Sequence, residues 1–143
     1  MKRMRLMSLT SLLVAGAAVI GGILGAGIDH ALVAQQPGIT RTILLRTDDP
    51  SAATHEVVMA VAQIPPGASA GRHRHSGIEV GYVLDGSVLL EREGQPPVTL
   101  SAGAGFKNEA GVHNATNPGT KPVKILAIYI VEKGKPLAEP VAP

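Results

Sequence analysis

Beyond residue 36, the chain alternates between short apolar runs and clusters of glycine, proline and aspartate. No run repeats its apolar residues at the three-to-four spacing of a helix, whereas short runs between turn residues are typical of β-strands. Many short strands at this spacing predict an all-β sandwich or barrel. The predicted strands are 39–47, 54–64, 78–84, 87–93, 97–101 and 122–133.

Two turns stand out between these strands. Asp85-Gly86 separates the third run from the fourth and predicts a two-residue β-hairpin. Glu93-Gly94-Gln95 separates the fourth run from the fifth and predicts a second turn.

The runs 54–64 and 122–133 are apolar on both faces. A strand of an antiparallel sheet with one face in water normally alternates apolar and polar residues, so both strands are expected to be covered on two sides. A two-sheet fold covers only one side. The second side of these strands is therefore predicted to be covered by a partner subunit, in a two-fold homodimer. The proline-rich tail KGKPLAEPVAP is an alternative cover.

The N-terminus has the pattern of an export signal. Lys2, Arg3 and Arg5 precede a charge-free apolar run of 23 residues, 6–28. The run is long for a cleaved signal and long enough to cross a bilayer, which takes about 20 residues. Residues 1–36 are therefore predicted to form a signal or anchor helix, and residues 37–143 a single domain outside the cytoplasm. In a bacterium that places the domain in the periplasm, either free or anchored to the inner membrane.

The composition of the domain excludes several functions. From Gln35 onward, ten lysines and arginines balance ten aspartates and glutamates, so no basic surface for nucleic acid is expected. Phe106, Tyr82 and Tyr129 are the only aromatic residues besides histidine, too few to stack single-stranded bases. The absence of cysteine excludes disulfides, thiolate metal sites and cysteine nucleophiles.

The segment GRHRHSGIE, residues 71–79, carries the candidate chemistry. On a strand, His73 and His75 face one way and Arg72 and Arg74 the other. Glu79 lies an even number of residues after both histidines, so the same alternation places its side chain on their face. Two imidazoles and a carboxylate on an inner face suit a divalent transition metal. A basic surface patch and an ordinary strand are the alternatives.

A further histidine, His113, lies in the glycine-bounded stretch 103–117 and is the candidate fourth ligand. With it, the sequence resembles the cupin superfamily. The first cupin motif, G-x5-H-x-H-x3-4-E-x6-G, is met by GASAGRHRHSGIEVGYVLDG, residues 67–86. The second motif, G-x5-P-x-G-x2-H-x3-N, is met over 103–117 with two departures. Glu109 replaces the proline, and only Val112 separates Gly111 from His113.

The resemblance implies a jelly-roll β-barrel of six to eight strands with one divalent metal inside. His73, His75, Glu79 and His113 would be the metal ligands. The metal would be Fe, Mn, Ni, Cu, Co or Zn, because imidazole and carboxylate donors do not choose among these ions. Alternation places Gly81 on the inner face, where the missing side chain would leave room beside the metal or allow the strand to twist.

Three functions are consistent with this reading. The first is a metal-dependent enzyme for a small polar compound, of dioxygenase, decarboxylase or isomerase type, with an oxidoreductase preferred. The second is a non-catalytic module that binds or senses a small ligand or a metal. The third is a structural barrel whose histidines are relics. Tyr82 is expected to point outward, and Glu109 is interpreted as a loop acid or as a proton carrier near the mouth of the site.

Overall fold

The computed structural model describes residues 38–142. The predicted signal or anchor of residues 1–36 lies outside the described residues. Within residues 38–142 every regular element is a strand, which confirms the all-β prediction. No helix in this range is long and apolar enough to cross a membrane.

The described residues form ten strands. The six predicted strands are present, and their ends agree with the sequence pattern to within one residue. Four short strands, β3, β7, β8 and β10, were not predicted as separate elements. The strands are β1 (Thr40–Asp48), β2 (His55–Ile64), β3 (His73–Arg74), β4 (Gly77–Asp85), β5 (Ser87–Arg92), β6 (Val98–Ser101), β7 (Gly105–Asn108), β8 (His113–Thr116), β9 (Val123–Glu132) and β10 (Glu139–Pro140).

These strands build two antiparallel sheets. The first sheet has the order β1-β2-β9-β4-β7, and the second has the order β10-β3-β8-β5-β6. Side chains from the two sheets share one core, to which β2 contributes Val58 and Ile64 and β5 contributes Val88. Two sheets over one aliphatic core agree with the jelly-roll architecture that the resemblance implies, although the described residues form ten strands and not six to eight.

The predicted hairpin at Asp85-Gly86 is wrong, although the turn itself is present. β4 pairs with β7 and β9 in the first sheet, whereas β5 pairs with β6 and β8 in the second. The turn therefore carries the chain from one sheet to the other. Gly86 has a φ of 81°, and a Cβ there would lie 3.0 Å from a methyl carbon of Val123. By contrast, Glu93-Gly94-Gln95 does connect two paired strands, β5 and β6.

The two long central strands, β2 and β9, have buried inner faces and apolar outer faces. Their outer residues continue onto β4, so the first sheet presents one apolar surface, called here the outer apolar face. Val80 at its centre remains 45% exposed. The outer apolar face consists of Val57, Met59, Val61, Ile78, Val80, Tyr82, Leu126, Ile128 and Ile130.

The C-terminal tail does not provide the cover that the sequence allowed. Its strand β10 pairs with β3 at the edge of the second sheet, where Glu139 lies opposite Arg74. Leu137 and Ala138, just before β10, are buried. The tail therefore packs beside the histidine segment and not on the outer apolar face.

Asn117, the last residue of the second motif, is fully buried and fastens two loops together. Its side-chain amide donates hydrogen bonds to the backbone carbonyls of Ile64 and Lys121, and its oxygen accepts one from the Gly119 backbone. Its backbone carbonyl accepts a hydrogen bond from Gly67. The loop that leads into β3 is thus held against the loop that follows β8.

Candidate metal centre

Three of the predicted ligands, His73, His75 and His113, come together between the two sheets, and Glu79 lies beside two of them. His73 on β3 lies directly opposite His113 on β8, and His75 follows two residues after His73. Glu79 comes from β4 in the other sheet. All four side chains are buried. The ring centroids of the three imidazoles lie 4.4 to 5.0 Å apart, so His73 and His75 face the same side, as alternation along the strand predicts.

The two arginines of GRHRHSGIE point away from this group, as their parity predicts. Arg74 Nε lies 3.0 Å from a carboxylate oxygen of Glu139, and Arg72 Nη2 lies 3.3 Å from one of Glu93. Both guanidinium groups are on the surface. They neither line the site nor add charge inside it.

Each histidine has its Nδ1 atom against a backbone carbonyl. His73 Nδ1 lies 2.7 Å from the oxygen of Gly71, His113 Nδ1 lies 3.0 Å from that of Gly111, and His75 Nδ1 contacts the oxygen of Leu137. A carbonyl oxygen can only accept a hydrogen bond, so each Nδ1 carries the proton. When a ring with this Nδ1 contact is neutral, its Nε2 atom is left with a free lone pair, the form that binds a metal.

The free nitrogens converge. The potential ligand atoms of His73, His75 and His113 all lie within 4.8 Å of one another. Nε2 of His75 and Nε2 of His113 are buried and have no hydrogen-bond partner. A buried polar atom without a partner is costly, and a bound cation would satisfy both atoms at once.

The carboxylate of Glu79 strengthens this argument. Its Oε2 atom lies 3.4 Å from Nε2 of His75 and 3.5 Å from Nε2 of His113. With both Nδ1 atoms protonated, the two Nε2 atoms and the carboxylate oxygen repel one another unless a metal ion, or a proton on an imidazole, lies among them. Ligand atoms on a tetrahedral metal with bonds of about 2.1 Å are separated by about 3.4 Å. The donor set and its spacing therefore fit a divalent transition metal.

The protonation states also favour metal binding. Burial lowers the pKa of His73 to about 3, so its imidazole is neutral at physiological pH. Burial alone would raise the pKa of Glu79, but the facing imidazoles of His113 and His75 hold it well below its usual range. The carboxylate is therefore ionised. Metal ligands must be deprotonated, and here these two already are.

Asn108 on β7 orients the glutamate. Its amide nitrogen donates a hydrogen bond of 2.7 Å to Oε2 of Glu79, and its oxygen accepts one of 2.9 Å from Nε of Arg92. The sequence pattern gave no reason to assign Asn108 to the site. Its position directly opposite Glu79 in the β4–β7 pair could not be deduced until β7 was known to be a strand.

Two further residues of the site were missed by sequence reasoning. Arg41 on β1 and Tyr129 on β9 line the same small cavity as His73, Glu79 and His113. Both side chains are buried. Arg41 lies two residues after Ile39, so alternation along the strand could have assigned both side chains to the inner face. Burial raises the pKa of Tyr129, so its hydroxyl keeps its proton.

The space that Gly81 leaves is occupied. A Cβ on Gly81 would lie 2.1 Å from the ring of Phe106, its cross-strand neighbour on β7. Gly81 therefore makes room for the Phe106 ring, which itself lines the cavity, and does not leave an opening beside the metal.

The other residues considered from the sequence lie outside the cavity. Tyr82 points outward and is 47% exposed, as expected. Glu109 is an exposed loop acid whose carboxylate lies 2.7 Å from the ammonium of Lys107. The departures in the second motif do not displace His113, because the Gly111 carbonyl still accepts its Nδ1 proton.

Comparison with known proteins agrees with this architecture. The cupin domain family profile matches residues 60–129, which include all four predicted ligands. Over 65 residues the chain is 43% identical to the beta-alanine degradation protein BauB of Pseudomonas aeruginosa, with 43% of this chain and 68% of BauB aligned. The chain belongs to the cupin superfamily.

Two further similarities are more distant. Over 75 residues this cupin is 28% identical to the oxalate-binding protein of Thermotoga maritima, covering 52% of this chain and 62% of that protein. The crystal structure of a cupin domain from Bordetella pertussis superposes with a TM-score of 0.52 and 28% identity, covering 66% of this chain and 95% of that one. The cupin therefore spans about two thirds of the curated relatives that it matches.

Proposed function

We propose that this cupin binds one divalent transition metal through His73, His75, Glu79 and His113, and that a small polar organic compound binds at the metal. The observation that carries the proposal is the convergence of imidazole Nε2 lone pairs on one buried carboxylate. Such a donor set accepts Fe, Mn, Ni, Cu, Co or Zn, and the supply of ions decides among them.

An enzymatic role, of dioxygenase, decarboxylase or isomerase type, is the main candidate. When bound, the metal would supply a Lewis acid and, if redox-active, a centre for oxidation. The cavity beside the ligands, walled by Ile39, Ile64 and Ile125, has a volume of about 20 Å³, so it would take only the part of the compound that reaches the metal. Tyr129 would stay protonated beside it, with its hydroxyl held by Glu79 and Arg41.

The second candidate is a non-catalytic module that binds a small ligand. Among the described residues that line the cavity, Glu79 is the one acid, and its carboxylate already contacts His75, His113 and Asn108. General acid–base catalysis requires a group that can exchange a proton near neutral pH. The scarcity of such groups favours ligand binding, or a reaction that needs no proton carrier from the protein.

The first experiment is elemental mass spectrometry of the untagged protein, as purified and after anaerobic reconstitution with each candidate ion. About one equivalent of metal per chain is expected. Turnover of small oxygen-bearing compounds by the loaded protein then separates the enzyme from the binding module. If no candidate ion binds after reconstitution, the proposed function is wrong.

We also propose that the protein is exported. The basic start and the long apolar run of the N-terminal segment support this. Fractionation of cells, with N-terminal sequencing of the recovered protein, is expected to find the domain outside the cytoplasm. The sequencing also distinguishes a cleaved signal from a retained anchor.

A homodimer formed through the outer apolar face is the proposed assembly. The tail packs elsewhere, and the side chains of Val80, Tyr82 and Ile130 stay exposed on one sheet. A contiguous apolar surface of this kind is typical of an interface. A two-fold dimer would pair the face with itself.

A further inference from the structure

Arg92, the last residue of β5, is an arginine at the end of an otherwise apolar inner face. Val88 and Leu90 on the same strand are buried in the core region, and alternation places Arg92 on their side of the sheet. It lies opposite His113 in the β5–β8 pair. Arg92 itself is only partly buried and lines a groove on the surface. Its side chain therefore stands where the space between the sheets meets the solvent.

Two hydrogen bonds join Arg92 to β7 in the other sheet. Its Nε atom donates to Oδ1 of Asn108 at 2.9 Å, and its Nη2 atom donates to the backbone carbonyl of Lys107 at 3.1 Å. Among the strands of residues 38–142, β7 pairs with β4 alone and forms an edge of the first sheet. The guanidinium therefore ties this edge strand to β5 across the end of the barrel.

The guanidinium also decides which way the Asn108 amide faces. The nitrogens of an arginine side chain can only donate hydrogen bonds, so the atom of Asn108 that faces Arg92 is the amide oxygen. The amide nitrogen then points at Glu79, whose Oε2 atom accepts its hydrogen bond at 2.7 Å. A charged donor on the amide oxygen polarises the amide and strengthens the hydrogen bond that its nitrogen donates.

These three residues form a line from the surface groove to the metal centre. Arg92 lines the groove, Glu79 lines the small inner cavity, and the buried Asn108 lines both. The positive charge thus stays at the groove, while a neutral amide carries its effect inward. Hydrogen-bonded groups behind a metal ligand fix the orientation of that ligand and change the metal affinity.

Glu79 is the proposed ligand that depends most on such support. The Nδ1 atoms of the three histidines contact backbone carbonyls, whose positions follow from the path of the chain. The carboxylate of Glu79 is instead held by the side chains of Asn108 and Tyr129. A side chain keeps its position only when its own contacts hold it, and Arg92 supplies those contacts to Asn108.

We propose that Arg92 is a positioning residue of the metal centre, which acts through Asn108 to hold the carboxylate of Glu79 toward the histidines. This proposal rests on the proposed metal-binding function. Arg92 touches neither the metal nor its ligands in this role. Its loss lowers the metal affinity because the Asn108 amide is no longer fixed.

A double-mutant cycle tests whether Arg92 acts through Asn108. Arg92→Met, Asn108→Ala and the double variant are titrated with cobalt(II) in competition with a chelator. The visible spectrum of each cobalt-loaded protein is recorded, because it depends on the ligands and geometry of the ion. Arg72→Met is the matched control, since Arg72 lines a groove with Arg92 but pairs with Glu93. Urea denaturation gives the stability of every variant.

The double variant gives the decisive result. Asn108→Ala is expected to weaken cobalt binding by about 10- to 100-fold, and Arg92→Met by about three- to tenfold with a spectral shift in the same direction. The double variant should bind cobalt within about twofold of Asn108→Ala, because Arg92 then has no amide to hold.

The remaining variants test the chemistry of the contact. Arg92→Lys should recover part of the loss, since lysine keeps a charged donor but not the fork that reaches two acceptors. It also replaces Arg92→Met in the cycle if that variant does not fold. Arg72→Met should bind cobalt within about twofold of the unmodified protein, because it removes only an exposed ion pair.

Three results overturn the proposal. The first is an Arg92→Met variant with the affinity and spectrum of the unmodified protein. The second is a double variant whose two losses multiply, because Arg92 would then act by tying β7 to β5 and not through Asn108. The third is an equal loss in Arg72→Met, which would assign the effect to surface charge. Absence of cobalt binding from the unmodified protein would instead contradict the proposed function.

Discussion

The histidines of the site are oriented by backbone atoms. Gly71, Gly111 and Leu137 each offer a carbonyl oxygen to an Nδ1 atom, and no substitution removes a carbonyl. The tautomer of each imidazole is therefore set by the path of the chain. Such outer contacts fix the ring orientation and the basicity of metal ligands.

Substitutions on the two faces of GRHRHSGIE are expected to have different effects on metal binding and on stability. His75→Ala removes a proposed ligand, so most of the bound metal should be lost and the melting temperature should fall, because a bound metal stabilises the native state. Arg74→Ala removes only an exposed ion pair with Glu139, worth about 0–1 kcal/mol. Elemental analysis and thermal melts of both variants check this. Equal metal loss in the two would contradict the assignment of the faces.

Among the elements, the short ones position the site. β3 and β10 contain two residues each, yet their pairing brings the tail alongside the histidine segment. This brings the Leu137 carbonyl to His75 across 62 positions in the chain. Leu137 also packs its side chain into the core. One tail residue therefore supports both the fold and the site, through different atoms.

These two contributions of the tail can be separated. Leu137→Ala should destabilise the fold by about 2–4 kcal/mol, as expected for a buried leucine, while the metal affinity is nearly unchanged because the carbonyl remains. Truncation after Lys135 removes the carbonyl as well and should weaken metal binding. Truncation after Pro140 is the control, since it keeps Leu137 and β10. Urea denaturation and competition with a chelator measure the two effects. A Leu137→Ala variant that binds metal as poorly as the Lys135 truncation would contradict the separation.

For the whole molecule, the outer apolar face is the main unassigned surface. It spans three adjacent strands, β2, β9 and β4, and its central rows run Met59, Ile128, Val80 and Val61, Leu126, Tyr82. An apolar surface of this extent, left in contact with water, raises the free energy of the folded protein unless something covers it. The proposed dimer removes that cost.

A charge at the centre of the face should dissociate the dimer. Val80→Lys is expected to give a monomer at micromolar concentration, because dimer formation would bury two ammonium groups. Val98→Lys is the matched control, the same substitution at an exposed valine of the second sheet. Light scattering coupled to size-exclusion chromatography gives the mass of each. An unmodified protein that is already monomeric would contradict the dimer, as would dissociation by both variants.

The amino-acid sequence by itself determined the strands and the inward side of most of them. Alternation along a strand is local, so it assigned His73, His75 and Glu79 to one face and Arg72 and Arg74 to the other, as the structure has them. The spacing of the motifs added His113. The same local rule also marked β2 and β9 as apolar on both faces.

Only the tertiary structure decided which residues meet across the barrel. Alternation gives no information about the order of strands in a sheet. The turn at Asp85-Gly86 was therefore predicted to form a hairpin, whereas the chain crosses there from one sheet to the other. Alternation also gave no reason to bring Arg41, Tyr129 and the Leu137 carbonyl to the histidines, or Phe106 to Gly81. Those contacts join residues far apart in the chain, and packing of two sheets around one core selects them. The four candidate ligands could thus be predicted from local spacing, whereas the residues that surround them are brought there by the fold.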